Sequence, residues 1–211
     1  MKSPFAERER ERLIAAILPD IAFDGWTGHA LRNAARRTDI PVAEAVALFP
    51  RGAADMIAAF SRWADYQMLE RLAAAPAETS LSRRIALALR LRFEVLAPWH
   101  EVVRRGLAVL AMPQNAPLAL RLLYQTVDAV WHGVGDDSTD FSFYTKRATL
   151  AGIHAAAPLF WLDDRSPGCA DTEAFIDRRL ADLHRLTGLR ERLASAAANL
   201  PNPFRILRPS R

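Results

Sequence analysis

Residues 22–60 read AFDGWTGHALRNAARRTDIPVAEAVALFPRGAADMIAAF, and their pattern predicts two short helices joined by a tight turn. Gly25 ends the apolar periodicity of a preceding helix over residues 6–23, and Thr27 is a suitable start for the next helix. The TDIP sequence interrupts that second helix, and Pro41 suits the first position of a short third helix over residues 41–48. Three helices in about 45 residues, the last two joined by a tight turn, predict a helix-turn-helix.

The rest of the chain is also predicted to be helical, because helix formers dominate and glycine and proline cluster at the joints. A fourth helix is predicted over residues 53–75, then a linker at 76–82 and helices near 81–97, 99–111, 115–133, 140–162, 171–187 and 188–199. Residues 85–93 alternate with period two and could form a strand, but their helical surroundings favour a buried helix. The predicted fold is all-α, with a head at 1–75, a larger helical body at 76–199 and a tail at 200–211.

Composition narrows the class of protein. The chain has 211 residues, of which 51% are hydrophobic, and its net charge is only +4, which excludes a generally disordered chain. The single cysteine, Cys169, cannot form an intramolecular disulfide, which favours a reducing, intracellular compartment. Residues 7–12 alternate acidic and basic side chains, unlike a signal peptide. The uncharged stretch 148–162 is shorter than a spanning helix requires, so we expect at most a peripheral membrane association.

The third predicted helix lacks the side chains that read DNA. Its sequence, PVAEAVAL over residues 41–48, offers no basic or amide side chain to a base edge or phosphate, and its one charge is Glu44. Residues 1–70 hold 9 basic and 10 acidic residues, so the head carries no excess positive charge. A few arginines could still touch a phosphate backbone: Arg32, Arg36, Arg37 and Arg51. The sequence predicts no nucleic-acid partner.

The head nevertheless resembles the DNA-binding head of TetR-type repressors. In that family an aromatic residue and a glycine follow the first helix, and a Phe-Pro motif follows the recognition helix. Phe23, Gly25, Phe49 and Pro50 occupy those places in this sequence. The resemblance implies a TetR-like helical fold with a degenerate helix-turn-helix.

A second distinctive segment is STDFSFYTKRATLAGIHAAAPLFWLDDRS, residues 138–166. Phe141, Phe143 and Tyr144 fall on more than one face of one helical turn, so we expect one of them on the surface or lining a cavity. An aromatic residue beside charged ones is typical of a partner-binding spot. The segment closely resembles the signature STDFNWYTKR of the ninth Coq protein family, an accessory family of ubiquinone biosynthesis. Ser142 and Phe143 replace the usual Asn and Trp, which keeps an aromatic ring but removes the indole N–H donor.

The resemblance extends over most of the chain, including the closing LPNPFRILR, residues 200–208. It implies a dimer that does not regulate transcription, is not an enzyme and uses no cofactor. It further implies a pocket for an isoprenoid quinone precursor or a phospholipid, which is presented to the di-iron hydroxylase of the ubiquinone pathway. The expected location is cytoplasmic and peripheral on the inner membrane. The partner-facing patch of the family corresponds here to Asp140, Phe143, Tyr144 and Arg147.

Two further sets of residues are candidates for lipid and membrane contact. Helices that are apolar on broad faces are buried on several sides or line an apolar cavity. The lipid-binding candidates on such faces are Leu87, Leu91, Leu123, Val127, Val130 and Trp131. The tail alternates large apolar residues with arginines, which suits an anionic membrane surface as well as a segment folded onto the body. Its membrane-binding candidates are Leu200, Phe204, Arg205, Ile206, Leu207 and Arg208.

Catalytic patterns receive little support from the sequence. The five histidines are scattered without a metal-binding i, i+4 pair, and the paired Glu-x-x-His motifs of a di-iron site are missing. We therefore expect no catalytic or metal-ligating residue. The alternative function is a ligand-sensing repressor of the TetR type, which would require polar and basic side chains on residues 41–48.

Overall fold

The computed structural model describes residues 4–76, 80–135 and 141–182, with side chains described for 6–76, 80–135 and 147–182. Every long element in these ranges is an α-helix, and none of the described residues forms a strand. The helices are α1 (Pro4–Asp24), α2 (Gly28–Arg37), α3 (Val42–Leu48), α4 (Ala53–Ala74), α5 (Leu81–Leu96), α6 (His100–Leu110), α7 (Ala116–Gly133), α8 (Phe141–Asp163) and α9 (170–182).

The joints between the first helices follow the sequence signals. Gly25 ends α1 with a φ of 65°, a left-handed conformation that favours glycine. The Thr27 hydroxyl caps α2 by accepting a hydrogen bond from the Ala30 N–H at 3.3 Å. Pro41 is the N-cap of α3 rather than its first helical residue. The all-α prediction and the helix-turn-helix are thus confirmed.

The alternating stretch of residues 85–93 lies within α5, as the helical interpretation predicted. Ile85, Leu89 and Phe93 are buried, and Leu87 and Leu91 are half-buried against the same core. Since α5 contacts both α4 and α7, apolar side chains are accommodated on more than one side of the helix. This burial explains why the stretch lacks the one-sided pattern of a surface helix.

Each end of the fold has a well-filled core. In the head, the face of α1 that packs on α2 is fully buried and consists of Leu13, Ile14, Ile17, Leu18 and Ile21. In the body, Trp161 of α8 is 1% exposed, with its ring centroid 5.5 Å from that of Phe93 and 4.2 Å from that of His100. Where α7 crosses α4, a Cβ on Gly133 would come within 2.6 Å of Leu69 Cδ2, so the helices approach closely there.

Non-covalent contacts also join the head to the body. The Trp26 indole N–H, in the loop before α2, donates to the Val102 carbonyl of α6 at 3.3 Å. Helix α1 also contacts α4 and α6. The domain boundary at residues 75 and 76 stays a prediction, as does the tail, which lies outside the described residues together with the predicted helix 188–199.

The connection between α8 and α9 is organised by Asp164. Its carboxylate accepts hydrogen bonds from the N–H and hydroxyl of Ser166, and from the N–H and hydroxyl of Thr172, all between 2.5 and 2.8 Å. Desolvation opposes its charge, but these hydrogen bonds outweigh it and lower the pKa of Asp164 to about 2. The DDRS sequence of residues 163–166 therefore builds the turn that redirects the chain into α9.

Within the described ranges, no helix is both long and apolar enough to cross a membrane.

Candidate functional site: a ligand-sized cavity

A cavity of about 450 Å³ lies among α4, α5, α6, α7 and α8, with Trp26 closing it on the side of the head. Its walls are mostly aliphatic and aromatic, as in small-molecule sites of this size. Helix α6 contributes a stripe at helical spacing, Val103, Leu107 and Leu110, while Gly106 leaves room beside the Trp26 ring. The arrangement can hold an apolar molecule of the size of a small ligand.

The cavity opens to solvent between α7 and α8. Leu120 and Leu159 both line it, yet they are 55% and 60% exposed. Ala155 lies in the same lining and is also exposed. With Ala111, an exposed lining residue at the end of α6, these three residues form the mouth of the cavity, which is apolar and could pass a lipid chain.

The buried wall carries a compact polar cluster. Arg92 Nε donates to Asp65 at 2.7 Å, and both side chains are at least nine-tenths buried. Arg92 Nη2 also donates to the Ser61 hydroxyl at 3.3 Å, and the Thr126 hydroxyl donates to Asp65 at 3.0 Å. Because the ion pair is internal and its partners are hydrogen-bonded, this part of the wall adds no net charge.

His154 of α8 lies beside this cluster and also lines the cavity. It is 6% exposed, and its Nδ1 atom has no hydrogen-bond partner among the described residues. Burial, together with the positive charge of Arg92, lowers the pKa of His154 to about 3. The imidazole is therefore neutral at physiological pH.

Of the predicted lipid-binding residues, Leu123 lines the cavity. Leu87 and Leu91 are half-buried against the core away from this lining, and Val127, Val130 and Trp131 are buried core residues that it does not include. The sequence-based list of lipid-binding residues did not include the α6 stripe or His154, which also line the cavity. The spacing of residues 103, 107 and 110 is a sequence signal for one apolar helix face, but nothing in the sequence distinguishes a face toward a cavity from a face toward a core.

The predicted partner patch is described only in part. Phe143 and Tyr144 fall in the first turn of α8, and their side chains lie outside the described ones, as does all of Asp140. Arg147 is 15% exposed, and its Nε donates to Asp128 of α7 at 2.8 Å. Its side chain therefore braces α8 against α7. The six predicted membrane-binding residues all lie in the tail, outside the described residues.

The exposed surface of α3 matches the sequence prediction for the head. Ala43, Glu44, Val46 and Ala47 are its exposed residues, so this surface is apolar and acidic. Two candidate phosphate contacts already have carboxylate partners. Arg37 pairs with Asp20 at 2.7 Å, and Arg51 pairs with Asp55 at 2.6 Å.

Features that would indicate catalysis are weak in the described ranges. No group of three His, Cys, Asp or Glu side chains there could hold a metal ion. Cys169, the residue immediately before α9, lies beside a smaller cavity of about 210 Å³. Burial, with a contribution from the nearby Asp164 charge, raises the pKa of the Cys169 thiol, so it is not an activated nucleophile.

Comparison with known proteins now identifies the family. A COQ9 family model matches residues 116–187. The chain is 31% identical over 199 residues to "Ubiquinone biosynthesis protein COQ9-B, mitochondrial" of Xenopus laevis, a match that covers 90% of this chain and 67% of the relative. The chain belongs to the COQ9 family.

Other COQ9 proteins match to a similar degree. Identity is 35% with the Rattus norvegicus protein and 32% with the Homo sapiens protein, each over 186 residues and 83% of this chain. These matches cover 59% and 58% of the two relatives, so this COQ9-family chain spans about three-fifths of their length.

A solved structure supports the fold. The crystal structure of the TetR transcriptional regulator from Nitrosomonas europaea ATCC 19718 matches with a TM-score of 0.64 at 22% identity. The match covers 82% of this chain and 97% of the regulator, and it confirms the TetR-like fold.

Proposed function

We propose that this COQ9-family chain is a non-enzymatic, lipid-binding accessory protein of ubiquinone biosynthesis. The observation that carries the proposal is the apolar cavity of about 450 Å³ with a mouth at Leu120 and Leu159. Its relatives are named as ubiquinone biosynthesis proteins. A ubiquinone precursor combines a polar ring with an isoprenoid chain. A buried apolar chamber with an apolar mouth suits such a molecule, whose tail can extend beyond the chamber.

The repressor alternative is disfavoured by the exposed surface of α3. Sequence-specific DNA readers present Arg, Lys, Asn or Gln to base edges in the major groove. The corresponding surface here presents Ala43, Glu44, Val46 and Ala47. A ligand-sensing repressor must bind DNA to act, and the exposed surface of α3 lacks the side chains for sequence-specific DNA binding.

In the proposed role, the protein takes an isoprenoid quinone precursor from the membrane and presents it to the di-iron demethoxyubiquinone hydroxylase. Asp140, Phe143, Tyr144 and Arg147 form the proposed contact with the hydroxylase. Leu200, Phe204, Arg205, Ile206, Leu207 and Arg208 form the proposed contact with the inner membrane, on its cytoplasmic face. The proposed working form is a homodimer, and the chemical step belongs to the partner enzyme.

The lipid-binding part can be tested by extracting purified protein with organic solvent and identifying the lipids by mass spectrometry. We expect isoprenoid quinone intermediates in near-stoichiometric amount. Ala155→Trp should reduce them strongly, because a large ring at that position obstructs the mouth of the cavity. Ala156→Trp is the matched control, since Ala156 is the next residue, is also exposed and does not line the cavity. Lipid-free wild-type protein that is folded would contradict the proposal.

The presentation step is tested by measuring affinity for the purified hydroxylase. Tyr144→Ala should weaken binding at least about fivefold, because truncating a central aromatic residue of an interface commonly costs more than about 1 kcal/mol. Tyr66→Ala on α4 is the control, because Tyr66 is a tyrosine 57% exposed on another helix. Equal affinity of wild type and Tyr144→Ala would remove the proposed patch.

A further inference from the structure

We propose that the buried wall of the cavity contains a subsite for one uncharged oxygen group of the ligand, a ring hydroxyl or carbonyl, and that His154 binds it. The inference rests on the proposed function to the extent that the cavity must hold a ligand. It adds the chemistry of the ligand's polar end and the residue that recognises it.

The first argument is the orphaned Nδ1 atom. His154 is more than nine-tenths buried, it lines the cavity, and its Nδ1 has no hydrogen-bond partner among the described residues. Buried polar atoms in native proteins nearly always have hydrogen-bond partners, since a buried donor or acceptor without one costs roughly 1–3 kcal/mol. Nδ1 itself is buried, so a ligand oxygen in the cavity would supply the missing partner once the ring turns toward it.

The second argument is that the neighbouring polar groups are already engaged. The Arg92 guanidinium is held by Asp65 and Ser61, and Thr126 donates to the same Asp65 carboxylate. Each of these side chains thus has at least one hydrogen-bond partner, whereas His154 Nδ1 has none among the described residues. Within the described lining, His154 is thus the polar group best placed for recognition.

Charge determines which polar group the ligand carries. The Arg92–Asp65 pair is neutral overall, and the His154 ring is neutral because burial and Arg92 disfavour its protonation. A phosphate or carboxylate brought to this wall would lose its hydration and would meet only a positive charge that Asp65 already balances. A phenol or quinone oxygen avoids that cost and still forms a hydrogen bond.

The main chain of α8 adds a hydrogen-bond acceptor next to the His154 ring. Pro158 also lines the cavity, and because proline has no N–H it cannot donate to the carbonyl four residues earlier, that of His154. The His154 carbonyl therefore lacks the i+4 hydrogen bond of a regular helix, and Nδ1 of the same residue has no partner among the described residues. A hydroxyl group that reaches both can accept a hydrogen bond from Nδ1–H and donate one to the carbonyl oxygen.

The test compares three probes that share an apolar tail: 4-butylphenol, butylbenzene and butyl phosphate. Binding is measured by displacement of the neutral apolar dye N-phenyl-1-naphthylamine from the full chain. We expect 4-butylphenol to bind about tenfold more tightly than butylbenzene, the value of one buried hydrogen bond. Butyl phosphate should bind more weakly than either. The ¹⁵N resonance of His154 Nδ1 should shift with 4-butylphenol and not with butylbenzene.

His154→Phe should remove the preference for the phenol while leaving butylbenzene affinity within about twofold, because the ring shape is kept. His154→Gln, whose amide can donate and accept, should restore part of the preference. His132→Phe, at an exposed position on α7, is the control. Equal binding of phenol and butylbenzene to the wild type, or a preference that survives His154→Phe, would overturn the subsite while the lipid cavity stands. Failure of all three probes to displace the dye would overturn both.

Discussion

His154 combines burial, a depressed pKa and a position on the cavity wall, and its ionisation has a consequence for stability. In the unfolded chain its pKa is near 6.5, whereas in the folded chain it is about 3. Between these values the unfolded state binds more protons. The stabilisation is therefore fully present above about pH 6.5 and is lost progressively as the pH falls toward 3.

We expect the free energy of unfolding of the wild type to fall by about 2 kcal/mol more than that of His154→Phe between pH 7 and pH 5. The phenylalanine variant cannot bind the proton, so its acid limb should be flatter. Urea unfolding at both pH values measures the difference. Comparing two variants of one chain cancels the contribution of the other histidines. Parallel pH profiles would show that His154 is accessible to protons in the folded state.

The Arg92–Asp65 pair determines stability at the same wall. Asp65→Ala leaves a guanidinium buried without its carboxylate, which costs about 3–5 kcal/mol. Adding Arg92→Met should recover much of that loss, because the double variant has no buried charge to satisfy. Denaturant midpoints measure both effects. Asp177→Ala is the control, since it breaks the exposed Arg90–Asp177 pair and should cost under about 1 kcal/mol.

Individual cavity residues were harder to predict than the fold. Leu123 and Val127 lie one turn apart on α7, yet the first lines the cavity and the second belongs to the core. Both satisfy the same apolar periodicity, so only the positions of the neighbouring helices separate them. His154 carried no sequence signal either, because a lone histidine on an apolar helix looks the same with or without a partner.

At the scale of elements, the helix bounds followed local chemistry closely. A positive φ at Gly25 and the Thr27 cap define the joint between α1 and α2. Both features are predictable from the sequence, because glycine favours a positive φ and threonine favours a helix N-cap. The DDRS segment was recognised by its resemblance to a family, and its physical basis is the set of hydrogen bonds at Asp164. Such a network depends on Thr172, eight residues further along, which spacing alone does not reveal.

Asp164→Ala should loosen the start of α9. The substitution removes the acceptor for Ser166 and Thr172, and we expect a loss of about 1 kcal/mol. The matching local readout is faster hydrogen exchange at the Thr172 amide. Asp163→Ala, at the exposed neighbouring position, should leave that amide protected. Unchanged exchange in Asp164→Ala would mean that packing alone holds the turn.

Helix α3 should bind DNA poorly. Fluorescence anisotropy with a mixed-sequence duplex should show weak binding and little change between about 50 and 200 mM salt, because few counterions are released. Replacing Ala43 and Ala47 with arginine adds positive charge to the exposed surface and should create salt-sensitive binding. Tight wild-type binding with a steep salt dependence would restore the repressor interpretation.

For the whole molecule, charge and apolar residues are distributed unevenly. The head has no positive excess, whereas the tail places Arg205, Arg208 and Arg211 beside large apolar residues. We expect replacement of these three arginines with glutamine to reduce co-sedimentation with anionic vesicles, most clearly at low salt. Replacing Arg83, Arg121 and Arg178, three exposed arginines of the body, changes the net charge equally. If both triple variants lose binding to the same extent, net charge and not the tail determines attachment.

The position of Trp26 gives the head a structural role that does not depend on DNA binding. Its ring closes one side of the cavity, and its N–H is hydrogen-bonded to α6, so cutting the chain before α4 would remove a wall of the chamber. If the head serves that purpose, selection acts on its shape and not on a surface that contacts phosphate. Within the family, substitutions should therefore accumulate on the outer face of α3 and remain rare behind Trp26. The helix-turn-helix head would then be retained because it forms part of the cavity wall.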